Sequence, residues 1–423
     1  MYTFVHGLVC SFMSNVKSRI TLGASAGKTL LISLSSAFVF AAGCVSEDLT
    51  SATDIPQAES SFSVPEYQVD PFWPKPLPNN WILGQVGGIA VDDDDHIWIV
   101  QRPRTVDTVE GAAAQNPPRA ECCVPAPSII EFDQDGNMVS AWGGPTWNKA
   151  SSEWVEPPYI WPANEHGIYV DDDGNVWTAG NAGAYDPPDG GESVGGDHIV
   201  LKMSPTGDQL LVIGRVEETG GSNDPERLGR PADMYVDTEA NEVYIADGYG
   251  NRRVIVFDSE TGEYKRHWGS YGEMPHDLEL PAYHPDEQVV RSYRGPVHAV
   301  VMSNDGLLYV GDRNNNRIQV FEPDGAYVTE TYLAKRTYPA GSIWDLDFSA
   351  DSEQRWLIVA DGSNRKIRIV DRSSLVEVSS FGRGGRQAGQ FDWVHNVAVD
   401  SDGNIYTAEV RTGKRVQKFD LQL

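Results

Sequence analysis

Three histidines in this chain, His166, His298 and His395, stand at one place in a repeated pattern. Each repeat opens with an apolar-x-apolar-Asp or -Ser stretch, starting at Ile89, Ile168, Met234, Val300, Leu346 and Val397. Two residues ahead of these starts lie Gly87, His166, Ala232, His298, Trp344 and His395, so histidine falls in the second, fourth and sixth units. With nine histidines in 423 residues, chance leaves little room for that alternation. Three imidazoles converging from three sides, with a fourth position open, form the donor set of a catalytic Zn²⁺. His96, His198, His267, His276 and His284 share no register and read as separate, hydrogen-bonded histidines.

A second register supplies a rim. Where the second strand of each unit ends come Arg102, Asn181, Tyr249, Arg313, Ser363 and Arg411, expected to face the same mouth. Arginines beside a dication suit a small anionic or peptide-like substrate. A phenol in such surroundings is favoured as phenolate, which suits a general base. Rim arginines are also common on loops, and Arg411 alone reads as an exposed side chain.

The elements that must position these groups are short strands. Ile168-Tyr-Val-Asp171 and Val176-Trp177 flank an Asp-Asp-Gly-Asn turn, and Val397-Ala-Val-Asp400 and Ile405-Tyr406 flank Ser-Asp-Gly-Asn. Alternating third strands follow, such as Arg253–Phe257, Arg317–Phe321 and Lys366–Val370, and fourth strands run up to Trp268-Gly269 and Phe381-Gly382. Four antiparallel strands per unit, repeated six times, predict an all-β, six-bladed β-propeller. The sixth unit ends at Leu423 after three strands, so a strand near Tyr67–Asp70 is expected to complete it and close the ring. In a six-fold ring alternate blades lie about 120° apart around a central channel, so all three imidazoles point at the axis. The Asp-Gly-Asn clusters lack the closing Glu of an EF-hand and sit where hairpins turn.

Composition narrows the class. There are 61 Asp+Glu against 33 Lys+Arg, a net charge of −28, which excludes nucleic acid as a partner because the surplus would repel a phosphate backbone. Hydrophobic residues at 40% exclude disorder. Length alone predicts two or three domains, an estimate that a repeat architecture overrides. Residues 1–43 carry Lys17, Arg19 and Lys28, no acidic residue, and an apolar run from Leu30 to Ala42, the pattern of a signal peptide. Ala41-Ala-Gly-Cys44 resembles a bacterial lipobox, with Cys44 lipidated and the chain anchored to the cell membrane; a plain signal peptide with an incidental Cys is the other reading. Val45 after that cysteine points to the outer membrane, facing the periplasm or cell surface. Residues 44–64 read as a tether and 65–423 as the propeller, and loss of 1–43 takes the charge from −28 to −31. In an exported protein Cys122-Cys123 either close a vicinal disulfide or stay as two thiols.

These residues resemble NHL-type propellers, and the ligand set is similar to that of the peptidylglycine α-amidating lyase domain. That family splits peptidyl-α-hydroxyglycine into a peptide amide and glyoxylate. The likeness rests on Gln85-Val-Gly-Gly-Ile89, Arg102, Glu165-His166-Gly167-Ile168, Asp247-Gly248-Tyr249, Pro296-Val-His298, Asp312-Arg313 and Phe391-Asp-Trp-Val-His395-Asn396. It implies zinc on His166, His298 and His395, Tyr249 as the base, and Arg102 and Arg313 orienting the substrate carboxylate and the tyrosine. It also implies a calcium in the channel, bound by the carbonyls of Ile89 and Ile168 and by an Asp, where this chain has Asn396. A neutral amide is a poorer ligand for a hard cation. Gly250 follows Tyr249 where the family has a disulfide cysteine. The segment 104–163 has no counterpart and is expected to reshape the substrate mouth.

The expected function is therefore an exported zinc-dependent carbon–nitrogen lyase acting on an α-hydroxyglycine-like carbinolamide. A non-catalytic propeller binding a peptide or glycan is a second class. A propeller hydrolase such as a lactonase is a third, which would want acidic metal ligands near the axis.

Overall fold

The computed structural model describes residues 63–183 and 196–422; Cys44 and the expected signal peptide lie outside them. Within 62–423 the six units form six four-stranded antiparallel sheets. The innermost strands are Gln85–Val91, Glu165–Val170, Asp233–Asp237, Val297–Met302, Asp345–Phe348 and Val394–Val399 in blades one to six. The ring closes as expected: Glu66–Asp70 pairs with Arg415–Gln422 as the outer strand of blade six, Tyr67 opposite Leu421.

Alternation along each strand gives every sheet two apolar faces. Each face packs on the next blade, so six separate apolar clusters sit at the six blade boundaries. Trp177 and Ala179 of blade two, for example, meet Met234, Ile245 and Phe257 of blade three. One blade buries only half its apolar surface without both neighbours, which is why this length forms one ring rather than several domains.

The acidic turns are turns. Asp171 Oδ1 accepts the Asn175 backbone N–H at 2.8 Å, and Gly174 supplies the left-handed φ of +77° that closes the loop. The same aspartate reaches forward six residues, Oδ2 accepting Trp177 Nε1–H at 2.9 Å; Asp92 with Trp98 and Asp400 with Tyr406 repeat this link. Cys122 and Cys123 are joined as a vicinal disulfide. Their segment adds a two-residue parallel pairing (Val124–Pro125 with Trp81–Ile82) and a hairpin, Thr146–Asn148 with Glu153–Val155. Among the described residues no helix is long and apolar enough to cross a membrane.

Candidate active site

His166, His298 and His395 enter the channel from the inner strands of blades two, four and six. Pairing with the second strand slips by one residue at each: between His166 and Ile168, between Val297 and Ala299, and between Val394 and Asn396. A bulge bends and twists its strand locally and re-aims a side chain, here toward the axis. The ring centroids lie 4.7 to 5.0 Å apart, and one nitrogen of each ring lies within 4.8 Å of the others.

Which nitrogen faces the centre follows from the outer contacts. His166 Nδ1 lies 2.6 Å from the carbonyl oxygen of Ala232, and His298 Nδ1 bonds the carbonyl oxygen of Trp344. A carbonyl can only accept, so Nδ1 carries the hydrogen and Nε2 is left with a bare lone pair. His395 Nδ1 bonds the amide oxygen of Asn396 instead. Burial holds all three imidazoles well below their usual range, His395 down to about 3, helped by neighbouring imidazoles and by Arg102 and Arg313. Neutral, bare nitrogens converging from three sides fit a tetrahedral zinc with one open position.

Tyr249 completes the centre. Its Oη lies 3.1 Å from His166 Nε2 and 3.0 Å from His298 Nε2, and accepts from Arg313 Nη1 at 3.1 Å. Arg313 stacks 4.1 Å from the Trp344 ring. Arg102 crosses from blade one, its Nε donating to the Glu165 carbonyl at 2.8 Å and Nη1 to Gln85 Oε1 at 3.2 Å. Gly87 lets it pass: a Cβ there would meet Arg102 Nη2 at 3.2 Å and the Glu165 carbonyl at 2.7 Å. Above these groups opens a cavity of about 430 Å³.

The repeat itself is of a known kind. A sequence model of the NHL repeat matches residues 296–321, the inner, second and third strands of blade four. The chain carries an NHL repeat. It is 26% identical over 364 residues to NHL repeat-containing protein 3 of Homo sapiens, covering 84% of each chain. It is 26% identical over 265 residues to peptidyl-glycine alpha-amidating monooxygenase of Mus musculus, covering 60% of this chain and 23% of that one. A probable peptidyl-alpha-hydroxyglycine alpha-amidating lyase of Caenorhabditis elegans is 22% identical over 260 residues, 59% of this chain and 62% of the relative. The propeller thus spans under a quarter of the mouse enzyme's length.

Within this propeller the predicted site residues divide. His166, His395, Tyr249, Arg102, Arg313, Asn181 and Arg411 all line the cavity, and His298 joins them through Tyr249. Ser363 does not; its hydroxyl turns to the Gly341 carbonyl at 2.6 Å. None of the described lining residues falls between 104 and 163, so the expected reshaping of the mouth does not extend to this lining. Ile89 and Ile168 sit in the blade clusters. The Asn396 oxygen is taken by His395 and its amide group bonds the buried Asp345, so this residue does not fit the calcium role that the likeness implies. Trp344, at the histidine register of blade five, lines the cavity as well, and Arg230 and Trp393 line it unforeseen. Arg230 lies on the connection into blade three, outside both registers, and reaches inward from a backbone φ of +62°.

Proposed function

We propose that this NHL propeller is a zinc-dependent lyase that breaks the C–N bond of an α-hydroxyglycine-type carbinolamide, releasing an amide and an α-oxo acid. One observation carries the reading: Tyr249 Oη sits against two bare imidazole nitrogens and one guanidinium at 3.0–3.1 Å. A metal-binding surface propeller has no use for a phenol there. The likeness to amidating enzymes supports the same chemistry.

His166, His298 and His395 would hold the zinc, which when bound supplies a Lewis acid beside the substrate's oxygens. Arg102 and Arg313 hold the substrate carboxylate and fix its orientation. Tyr249 Oη takes the proton of the α-hydroxyl. The O–H electron pair becomes the new C=O, the C–N pair leaves on nitrogen, and Tyr249 returns the proton to that nitrogen. R–CO–NH–CH(OH)–COO⁻ thus becomes R–CO–NH₂ and OHC–COO⁻, with no other reactant. We also place the protein outside the cytoplasm, anchored at Cys44, on the leader and lipobox of the sequence.

Elemental mass spectrometry of purified protein is expected to find zinc near one per chain. With an N-acyl-α-hydroxyglycine as substrate and glyoxylate as readout, Tyr249→Phe is expected to lower kcat about 10²- to 10⁴-fold. A full-rate variant removes Tyr249 from the mechanism; calcium alone in the purified protein favours the hydrolase, and no metal favours a binding propeller.

A further inference from the structure

The cavity is basic in an acidic protein. The chain has 61 Asp+Glu against 33 Lys+Arg, yet the described residues that line the cavity include four arginines and no carboxylate. Arg102 and Arg313 form an inner pair, 8% and 9% exposed, beside the imidazoles. Arg313 Nε is buried with no hydrogen-bond partner among the described residues. Arg230 and Arg411 form an outer pair. Arg230 is half-buried, its Nε donating to the Asn181 carbonyl at 2.8 Å and its guanidinium 5.6 Å from the Tyr249 ring centre. Arg411 is exposed and lies 3.7 Å over Trp393, whose ring is edge-on to Trp344 at 5.3 Å.

Among the described residues, none of these four guanidiniums has a carboxylate within 4.0 Å, although most other arginines of the propeller are ion-paired. One substrate carboxylate satisfies the inner pair and leaves the outer pair unmatched. Stacking on Tyr249 and Trp393 holds the outer heads in place, so little rotamer entropy is lost when they bind an anion.

We propose that the substrate carries a second carboxylate, at the far end of its acyl group, and that Arg230 and Arg411 select for it. This rests on the lyase reading above and specifies its substrate as a dicarboxylate. The two carboxylates then occupy opposite ends of the cavity, with the reacting carbon at the imidazole end.

The test pairs N-glutaryl-α-hydroxyglycine with N-pentanoyl-α-hydroxyglycine, equal in chain length and differing in one terminal carboxylate. The zinc-loaded protein is expected to favour the glutaryl compound about tenfold or more in kcat/KM, mainly through KM, as a charge-assisted contact gives. Arg230→Gln and Arg411→Gln each reduce that ratio, and the double variant brings it close to one, with thermal melts confirming that the variants fold. Equal kcat/KM on both compounds, or a preference that survives in the double variant, overturns the proposal. If neither compound turns over, the lyase reading fails separately. Calorimetry on the same protein with glutarate and pentanoate then decides: about tenfold tighter glutarate binding that vanishes in the double variant sustains the anion pair, and equal binding removes it.

Discussion

Asn396 shows how one side chain can stand in for a missing backbone partner. His166 and His298 each give their Nδ1–H to a carbonyl on the next blade, from Ala232 and Trp344, the residues at their own register position. For His395 the next blade is blade one, where that position is Gly87 and the Arg102 guanidinium lies against it. The Asn396 amide replaces the carbonyl and is itself fixed by Asp345. Outer partners set imidazole orientation and basicity, and their loss typically costs 10- to 100-fold in metal affinity. Asn396→Ala is therefore expected to weaken zinc binding by about that factor in a chelator competition, with Asn396→Asp, which keeps an acceptor, recovering most of it. Unchanged affinity in the alanine variant would show that the Nδ1 partner of His395 is dispensable.

At the scale of elements, the loops that carry Tyr249 and Arg313 are pinned by buried ion pairs. Arg253 Nε meets Asp247 at 2.9 Å and Arg317 Nη2 meets Asp312 at 2.7 Å, all four side chains fully buried. Asp247 also accepts from the Gly229 N–H, and Arg253 donates to the Ser222 and Asp224 carbonyls, tying the connection between blades two and three to the Tyr249 loop. Breaking such a pair on one side leaves a buried charge and costs about 3–5 kcal/mol. Arg317→Met is expected to lose that much in urea unfolding, and Asp312→Asn added to it to restore part. A loss under 1 kcal/mol would mean that water reaches Asp312. These pairs were legible as an acidic residue five to seven places before an arginine, from Asp247-Arg253 to Glu409-Arg415, but only once strand ends are known to meet at the mouth. Blade count, closing strand and histidine register could be read directly, because they depend on local alternation and turns. The slips that aim the histidines could not. They arise from pairing between strands, and nothing in the local pattern around His298 distinguishes a bulge from a regular ladder. Arg230 escaped for the same reason: its place depends on how a connection folds back over the ring.

At the scale of the whole ring, the channel walls hold two opposed sets of titrating groups. Burial pushes Asp345 and Asp347 up to about 7, and raises Asp233 well above the carboxylate range with the Asp345 charge adding to it. The three imidazoles are pushed down. The signs oppose each other. A buried imidazole stays neutral in the folded protein, whereas the unfolded one takes a proton below about 6.5, so the imidazoles make the metal-free protein lose stability as pH falls from there. A buried carboxylate keeps its proton in the folded protein while the unfolded one loses it above about 4. Its stabilisation is present below that value and lost as pH rises through about 7. Between about 4 and 6.5 the two sets pull in opposite directions. Removing one carboxylate takes away part of one pull. Relative to the parent, metal-free Asp347→Asn is expected to gain stability with rising pH by up to about 1.4 kcal/mol per unit across that window. Urea midpoints at several pH values check this: a difference that grows with pH supports a protonated Asp347 in the folded ring, and a constant one shows that its carboxyl titrates as in the unfolded chain.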